Sequence, residues 1–400
     1  MPRILALGSN SSGQLATGGT EDVHCFTHTL VSDGLIGDSA LASNTSGDTK
    51  WHVVGGGNHA FAWPADGSKL YGCGSNSDGE LAMGDLPDRI PAVKWTAIDG
   101  VPGAVRQISC GWNHSLLLDT QGQVYAAGSN SFGQLGSTLK RQSVWMPVAS
   151  SHVGKRFVAV ACGLRHSLAL AEDGSVYGWG ANRSGQLGIG GSQKTVSCVS
   201  WVSEGLPPMC MVACGRSHSV LLSADRLSVY VCGQDKYGQL GPRNAQDGAK
   251  CGLWRRFQLP QRAVKLCSGW EFGAALLEHA EGDGGDSTVA MWGRADHGQL
   301  GVGKDDDALE ALSAGELALI KFDTRVVDIA CGSNHTVVLT EEGDVHLWGW
   351  NEHGNAGDAS LNDVWRPLKV QIQHTDSMRV WRVGCGYGNS YLVISGESAD

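Results

Sequence analysis

Five histidines, His59, His114, His166, His218 and His335, recur in one setting, each three residues after a glycine. Five cysteines, Cys110, Cys162, Cys214, Cys331 and Cys385, stand directly before such a glycine. Imidazoles and thiolates are the side chains of metal and proton chemistry, so a ring of either calls for a test. The histidine slot becomes Phe272 and Asn389 elsewhere, which a closed metal ring does not tolerate. Cysteines repeated once per unit sit one unit apart, too far for bridging, and Cys210 and Cys214 lack a second ligand pair at zinc spacing. A repeated structural hydrogen bond and a small buried thiol account for both registers. No metal is expected, and the thiols fit a reducing compartment.

Other candidates for chemistry fall away for local reasons. The pairs Asp66-Gly67, Asp173-Gly174 and Glu342-Gly343 sit where tight hairpins turn, and Asp-Gly is turn chemistry before it is acid chemistry. The stretch from Gly188 to Thr195, with Lys194, misses the phosphate-loop spacing. No nucleophile elbow is evident. The sequence therefore assigns no catalytic residue and no cofactor. The Asn-x-Ser/Thr sites at Asn113, Asn182 and Asn334 are by-products of the repeat.

The elements that position these residues are set by a block reading Gly-Ser-Asn-x-x-Gly-Gln-Leu or close to it. It begins at Gly8, Gly74, Gly128, Gly180, Gly233, Gly293 and Gly349. A period of roughly 50–66 residues signals a propeller or a solenoid. Within one unit, Val160 to Cys162, His166 to Ala171 and Val176 to Trp179 read as short strands, with Asp173-Gly174 as the hairpin. A weaker fourth strand follows, as at Val144 to Val148 and Trp365 to Val370. Four antiparallel strands per unit make a propeller blade. The last unit starts at Val383 and lacks a third strand and a block, which Ile4 to Leu15 supply. The expectation is an all-β, seven-bladed β-propeller of four-stranded antiparallel blades, in which the N-terminal strand completes the C-terminal blade. Residues 1–400 form a single domain in this reading, with insertion loops at about 30–50, 280–287 and 303–325.

Lys and Arg number 30 against 40 Asp and Glu, a formal net charge of -10. That excludes a sequence-blind phosphate binder, so no direct nucleic-acid partner is expected. No apolar run approaches ~18 residues and the N-terminus leads straight into a repeat, so neither a signal peptide nor a membrane span is expected.

Strand alternation sends the Gly-x-x-His loop and the Gly-x-Asn loop of the block to one face. Around the ring the first x of the former reads Gly57, Trp112, Leu164, Arg216, Trp270, Ser333 and Tyr387. The x of the latter reads Ser9, Ser75, Ser129, Ala181, Gln234, Arg294 and Trp350. Trp112, Trp270, Trp350 and Tyr387, with Arg165, Arg183, Arg216 and Arg294, then share a face, and these residue types dominate protein interfaces. Two readings stand: a partner-binding surface, or a plug in the mouth of the central channel.

The paired elements Cys-Gly-x-x-His-Ser/Thr and Trp-Gly-x-Asn-x-x-Gly-Gln-Leu-Gly resemble the regulator of chromosome condensation repeat family, over nearly the whole chain. That scaffold carries exchange factors, ubiquitin-ligase modules, a photoreceptor and adaptors. The opening, Ala6 to Asn10 through Gly19 to Val23, is similar to the fungal alpha-tubulin-suppressor branch. The resemblance implies a non-catalytic adaptor, a monomer or a heterodimer with a small zinc-binding protein of diphthamide synthesis and Elongator-dependent tRNA wobble-uridine modification. It implies a cytoplasmic or also nuclear setting. The alternative it implies is a guanine-nucleotide exchange factor for a small GTPase, although the basic tail of the chromatin-bound member has no counterpart here. The plant photoreceptor's Gly-Trp-Arg-His-Thr is approached only at Gly111 to His114.

Overall fold

The computed structural model describes residues 3–32, 50–85, 91–148, 154–242, 252–278, 286–304, 316–372 and 378–396. Their strands form seven separate four-stranded antiparallel sheets. We number these blades by their innermost strands: Trp51–Gly55 in blade 1, Val105–Cys110 in blade 2, Phe157–Cys162 in blade 3 and Met209–Cys214 in blade 4. Ala263–Ser268, Val326–Cys331 and Met378–Cys385 open blades 5, 6 and 7. The all-β, seven-bladed expectation is what the chain adopts.

Closure takes more of the N-terminus than one strand. Blade 7 runs Met378–Cys385, Asn389–Gly396, Arg3–Gly8 and Val23–His28 from centre to rim, two strands from each end of the chain. The seam is a continuous ladder, with Ile4 opposite Val393 and Gly8 opposite Asn389. The two ends of the chain are thus held by the same hydrogen bonds that hold every other blade, and neither is left as an open sheet edge. A second correction concerns the region read as a loop at 303–325: Ala318–Phe322 is the outer strand of blade 5, alternating buried and exposed. The bulk of the three expected insertions, at 33–49, 279–285 and 305–315, lies outside the described residues.

The second strand of each blade, such as His166–Ala171, is buried at every position whose burial is described because it faces neighbouring blades on both sides. The core therefore lies between blades: Leu116, Leu118 and Val124 of blade 2 pack with Phe157, Val160 and Ala169 of blade 3. Both glycines of the block have φ of +73° or above in every copy. A Cβ on Gly128 would also lie 2.4 Å from the Asn113 carbonyl, so the slot admits no side chain. The block's Asn and Gln side chains brace their own loop: Asn130 Oδ1 accepts from Leu135 N at 2.8 Å, and Gln134 Oε1 from Phe132 N at 2.8 Å.

The block's Gln carbonyl joins one blade to the next. Gln134 O accepts Ser167 Oγ at 2.8 Å and Trp179 Nε1 at 2.8 Å, both from blade 3. Gln186 O accepts Ser219 Oγ and Cys232 Sγ of blade 4, and Gln299 O accepts Trp348 Nε1 of blade 6. Serines in this slot also meet the histidines: His59 Nε2 donates to Ser115 Oγ, itself bonded to Glu80 O, at 2.8 Å, His114 to Ser167 at 3.2 Å and His166 to Ser219 at 3.0 Å, and His335 Nε2 lies 3.0 Å from Ser390 Oγ. His218 reaches Ser268 instead, at 3.1 Å, because glycine follows Phe272. The histidine register is thus an inter-blade hydrogen bond. Nδ1 of all five is buried with no partner, packed against the preceding Cys-Gly glycine in blades 2, 3, 4 and 6. Protonation there would strand an N–H, and burial pushes these pKa values down to about 3 for His59, His114 and His166 and about 4 for His218 and His335.

The Asp-Gly tips are turns, as read. Gly174 has φ +82° and Asp173 Oδ1 accepts Ser175 N at 3.0 Å. The Lys155 and Ser175 hydrogen bonds hold the Asp173 carboxyl below its usual range.

The histidines make a linkage prediction. Unfolded histidine protonates near its ordinary value of about 6.5, the buried ring only near 3–4. Below 6.5 the unfolded chain binds more protons, so stability is full above 6.5 and falls with pH towards 4. Each histidine contributes up to about 1.4 kcal/mol per pH unit in that window. His335→Asn places in blade 6 the residue blade 7 already carries, Asn389. Urea unfolding between pH 4 and 7 should give this variant a slope shallower by close to one proton.

Candidate protein-interaction face

Both loops of every blade reach the same face and are tied to each other. The x residue of each block donates its backbone N–H to the carbonyl just before the histidine slot: Ser9 to Gly388, Ser129 to Asn113, Arg294 to Glu271 and Trp350 to Asn334 among the seven. Adjacent blades are joined at this level too, through Gly57 N to Gly111 O, Trp112 N to Leu164 O, Arg216 N to Trp270 O, Trp270 N to Ser333 O, Ser333 N to Tyr387 O and Tyr387 N to Gly56 O. The mouth of the channel is therefore a hoop of backbone hydrogen bonds, open at the joint between blades 3 and 4.

Three of the four aromatics singled out in the sequence meet inside that hoop. Trp112 of blade 2, Trp270 of blade 5 and Tyr387 of blade 7 have ring centroids 6.0, 5.9 and 5.3 Å apart. Rings from non-adjacent blades that touch must span the opening, so together they cap it. Below them a cavity of about 550 Å³ runs between the innermost strands, with Tyr387 in its ceiling. Burial pushes the Tyr387 phenol well up, so it stays neutral. Trp112 keeps 37% of its surface exposed, so the outer side of the cap is also protein surface. Trp350 lies apart from the trio, edge-on to His353 at 5.1 Å.

The arginines divide by how firmly they are held. Arg294 Nη1 donates to Glu271 at 2.6 Å and its Nε to Asp296 at 2.6 Å, with the guanidinium 4.6 Å from the Tyr237 ring centroid. Those hydrogen bonds raise its already high pKa. Arg216 lies 3.6 Å from the same Glu271 and 5.2 Å from the Trp270 ring centroid. Arg165 is exposed and stacks over Phe132 at 4.2 Å. Arg183 is exposed and has no hydrogen bond or ion pair with the described residues. Glu271, 4% exposed, is the residue sequence reasoning passed over, since it holds both Arg216 and Arg294. A signal existed: it is the one acidic residue among the seven at the position before the histidine slot.

The assembly offers exposed guanidinium groups and an indole on a backbone that hydrogen bonds keep fixed. Among the described residues no group of three or more His, Cys, Asp or Glu side chains is arranged to hold a metal ion. Glu271→Gln removes the charge that Arg216 and Arg294 share while keeping the shape. Denaturant titration should show a loss of about 1–3 kcal/mol. Asp296→Asn, whose carboxylate is half exposed, should lose under ~1 kcal/mol.

The comparisons with known proteins agree with this architecture. Residues 3–392 match the model of the RCC1-like domain. The chain is 33% identical to the secretion-regulating guanine nucleotide exchange factor of Mus musculus, over 98% of this chain and 83% of that protein. It is 29% identical to the ultraviolet-B receptor UVR8 of Arabidopsis thaliana, over 93% of this chain and 78% of that one. Among solved structures, Prp20p of Saccharomyces cerevisiae superposes with a TM-score of 0.78 at 23% identity, covering 100% of this chain and 92% of that one. Human WBSCR16 does so at 0.77 and 22%, covering 99% and 100%. A likeness at such identities speaks for the fold. With the family model spanning almost the whole repeat array, this chain belongs to the family of RCC1-like domain proteins.

Proposed function

We propose that this chain is a protein-binding propeller that docks its partner on the face around Trp112, Arg165, Arg183 and Arg216, and that the partner is a small GTPase whose nucleotide release it accelerates. The carrying observation is an exposed Arg183 with no partner among the described residues, in a loop whose Ala181 N–H is held by Arg165 O, on the face where Arg165 and Trp112 are also exposed. Large, rigid, amphipathic groups on a fixed backbone give binding energy at low ordering cost. The 33%-identical relatives named as guanine nucleotide exchange factors favour the GTPase as partner class. No covalent step is required. A surface that binds the nucleotide-free GTPase more tightly than the loaded form weakens nucleotide binding by the same factor.

A second reading has its own observation. The opening similar to the alpha-tubulin-suppressor branch folds into the joint between blades 7 and 6, where Asp22 accepts Asn10 N at 2.8 Å and pairs with His353 at 2.6 Å, beside Trp350. On this reading the partner is the small zinc-binding protein of diphthamide synthesis and Elongator function, held near Trp350 as an adaptor's cargo.

The two readings separate experimentally. Release of a fluorescent guanine nucleotide from purified small GTPases should accelerate with the wild-type chain and fall at least about tenfold when Arg183→Ala and Trp112→Ala are combined. If no GTPase responds, and the zinc-binding protein co-purifies in a manner lost with Trp350→Ala but kept with Trp112→Ala, the second reading replaces the first.

A further inference from the structure

The cavity beneath the aromatic cap holds a pair of cysteines that the sevenfold repeat does not explain. Five of the innermost strands end in Cys-Gly, and the residue before that cysteine is Ser109, Ala161, Ala213, Ala330 or Gly384. In blade 5 the order shifts by one, Leu266-Cys267-Ser268-Gly269, so Cys267 occupies the slot that is serine, alanine or glycine in those five strands. That slot faces the next blade's cysteine slot: Ser109 Oγ accepts Cys162 N at 2.9 Å, and Cys162 Sγ donates to Ser109 O at 3.2 Å. A cysteine in it must therefore meet the cysteine of the following blade. Cys267 Sγ donates to Ile329 O at 3.4 Å, two residues before Cys331 on the facing strand, and both cysteines line the same cavity.

Charge is arranged around them. Lys265, two residues away on the same strand, forms an ion pair with Asp328, which is itself fixed by Val383 N at 3.1 Å and Ile329 N at 3.1 Å. Lys265, Cys267, Asp328 and Cys331 all line the one cavity. Burial pushes up the thiols of Cys110, Cys162, Cys214 and Cys385. Cys267 moves the other way: the neighbouring Cys331 thiol lowers it, desolvation opposes, the Lys265 ammonium lowers it further, and the Asp328 carboxylate works against that. Neither Cys267 nor Cys331 is fully buried.

We propose that Cys267 is a peroxide-reactive thiol and Cys331 its resolving partner, forming a reversible disulfide between blades 5 and 6. The Cys267 thiolate attacks one oxygen of hydrogen peroxide and the O–O bond breaks. Sulfur keeps that oxygen as a sulfenic acid, and the departing hydroxide takes a proton to become water. The Cys331 sulfur then attacks the sulfenic sulfur, the S–S bond forms, and the hydroxyl leaves with the Cys331 proton as a second water. Two thiols are oxidised and one peroxide is reduced. The Lys265 ammonium stabilises the attacking thiolate. This inference is independent of which partner the outer face binds.

The test uses the full chain, treated with equimolar hydrogen peroxide, alkylated and mapped by mass spectrometry. The exposed Cys25 and Cys198 serve as internal comparators. A Cys267–Cys331 crosslinked peptide forming ahead of oxidation at Cys25 and Cys198 supports the proposal. Loss of Cys25 and Cys198 while Cys267 and Cys331 both stay free overturns it. Cys331→Ser, which copies the Ser268 found in that slot of blade 5, should accumulate a dimedone adduct on Cys267, and its absence also overturns the assignment. Cys267→Ser, which copies Ser109, should abolish the crosslink. Lys265→Met should slow crosslinking about tenfold, and an unchanged rate removes its part in activation.

Discussion

The rest of the ring depends on one carbonyl, that of the block's glutamine. It points away from its own blade and accepts from the next: a serine hydroxyl and an indole at Gln134, a serine hydroxyl and a thiol at Gln186. A carbonyl has two lone pairs, and here both are used across the joint. The acceptor can be this exact only because the loop carrying it is stiff, with two positive-φ glycines and the Asn and Gln side chains bonding their own backbone. The joint that closes the circle keeps half of the pattern: Gln14 O takes Cys73 Sγ of blade 1 at 3.2 Å across the joint, and Tyr391 Oη of its own blade 7 at 2.8 Å. In blades 2, 3 and 4 a buried serine hydroxyl then hands the connection on to the preceding blade's histidine, so those blades are fixed to their neighbours by a short polar chain inside an apolar joint.

That economy explains which parts of the molecule the sequence made legible. Residues that build the joint must repeat, so a period, a blade count and the sharing of one blade by the two termini follow from the block alone. The outer strands carry a weaker pattern because one face meets solvent. Val23–His28 and Ala318–Phe322 were accordingly hidden, the first behind the polar stretch after the opening block and the second behind the acidic run at Asp305 to Asp307. The convergence of Trp112, Trp270 and Tyr387 could be read because their slot lies at equal radius in every blade. Trp350 belongs to the slot of the other loop, which ends further from the axis, and it finds His353 instead.

Pairwise features were harder to see. Glu271 matters because Arg216 and Arg294 arrive from blades 4 and 5, which no single unit displays. Cys267 looks like a cysteine misplaced by one residue in a tally of the Cys-Gly slot. A one-residue shift on a strand reverses the side a residue faces, and here it turns the Cys267 thiol onto the strand of Cys331, where it bonds Ile329 O. Repeats conceal exceptions of this kind because alignment absorbs them as noise.

Plug and partner surface, the two readings of the aromatics, are not exclusive in this geometry. Trp270 and Tyr387 fill the mouth beneath the hoop, whereas Trp112 stacks on Tyr387 at 27° and still exposes over a third of its surface. A side chain already ordered by stacking loses little freedom when a partner covers it, so each contact it makes contributes more of its gross energy to affinity. The same holds for Arg216, tethered to Glu271 and Trp270, and for Arg165, laid over Phe132. Arg183 alone of the group has no tether among the described residues, so a partner's carboxylate would meet it with its hydrogen-bonding capacity unused. If a partner docks on this face as proposed, affinity should come from the preorganised stack and specificity from Arg183, because the stack is already ordered and Arg183 is not tethered.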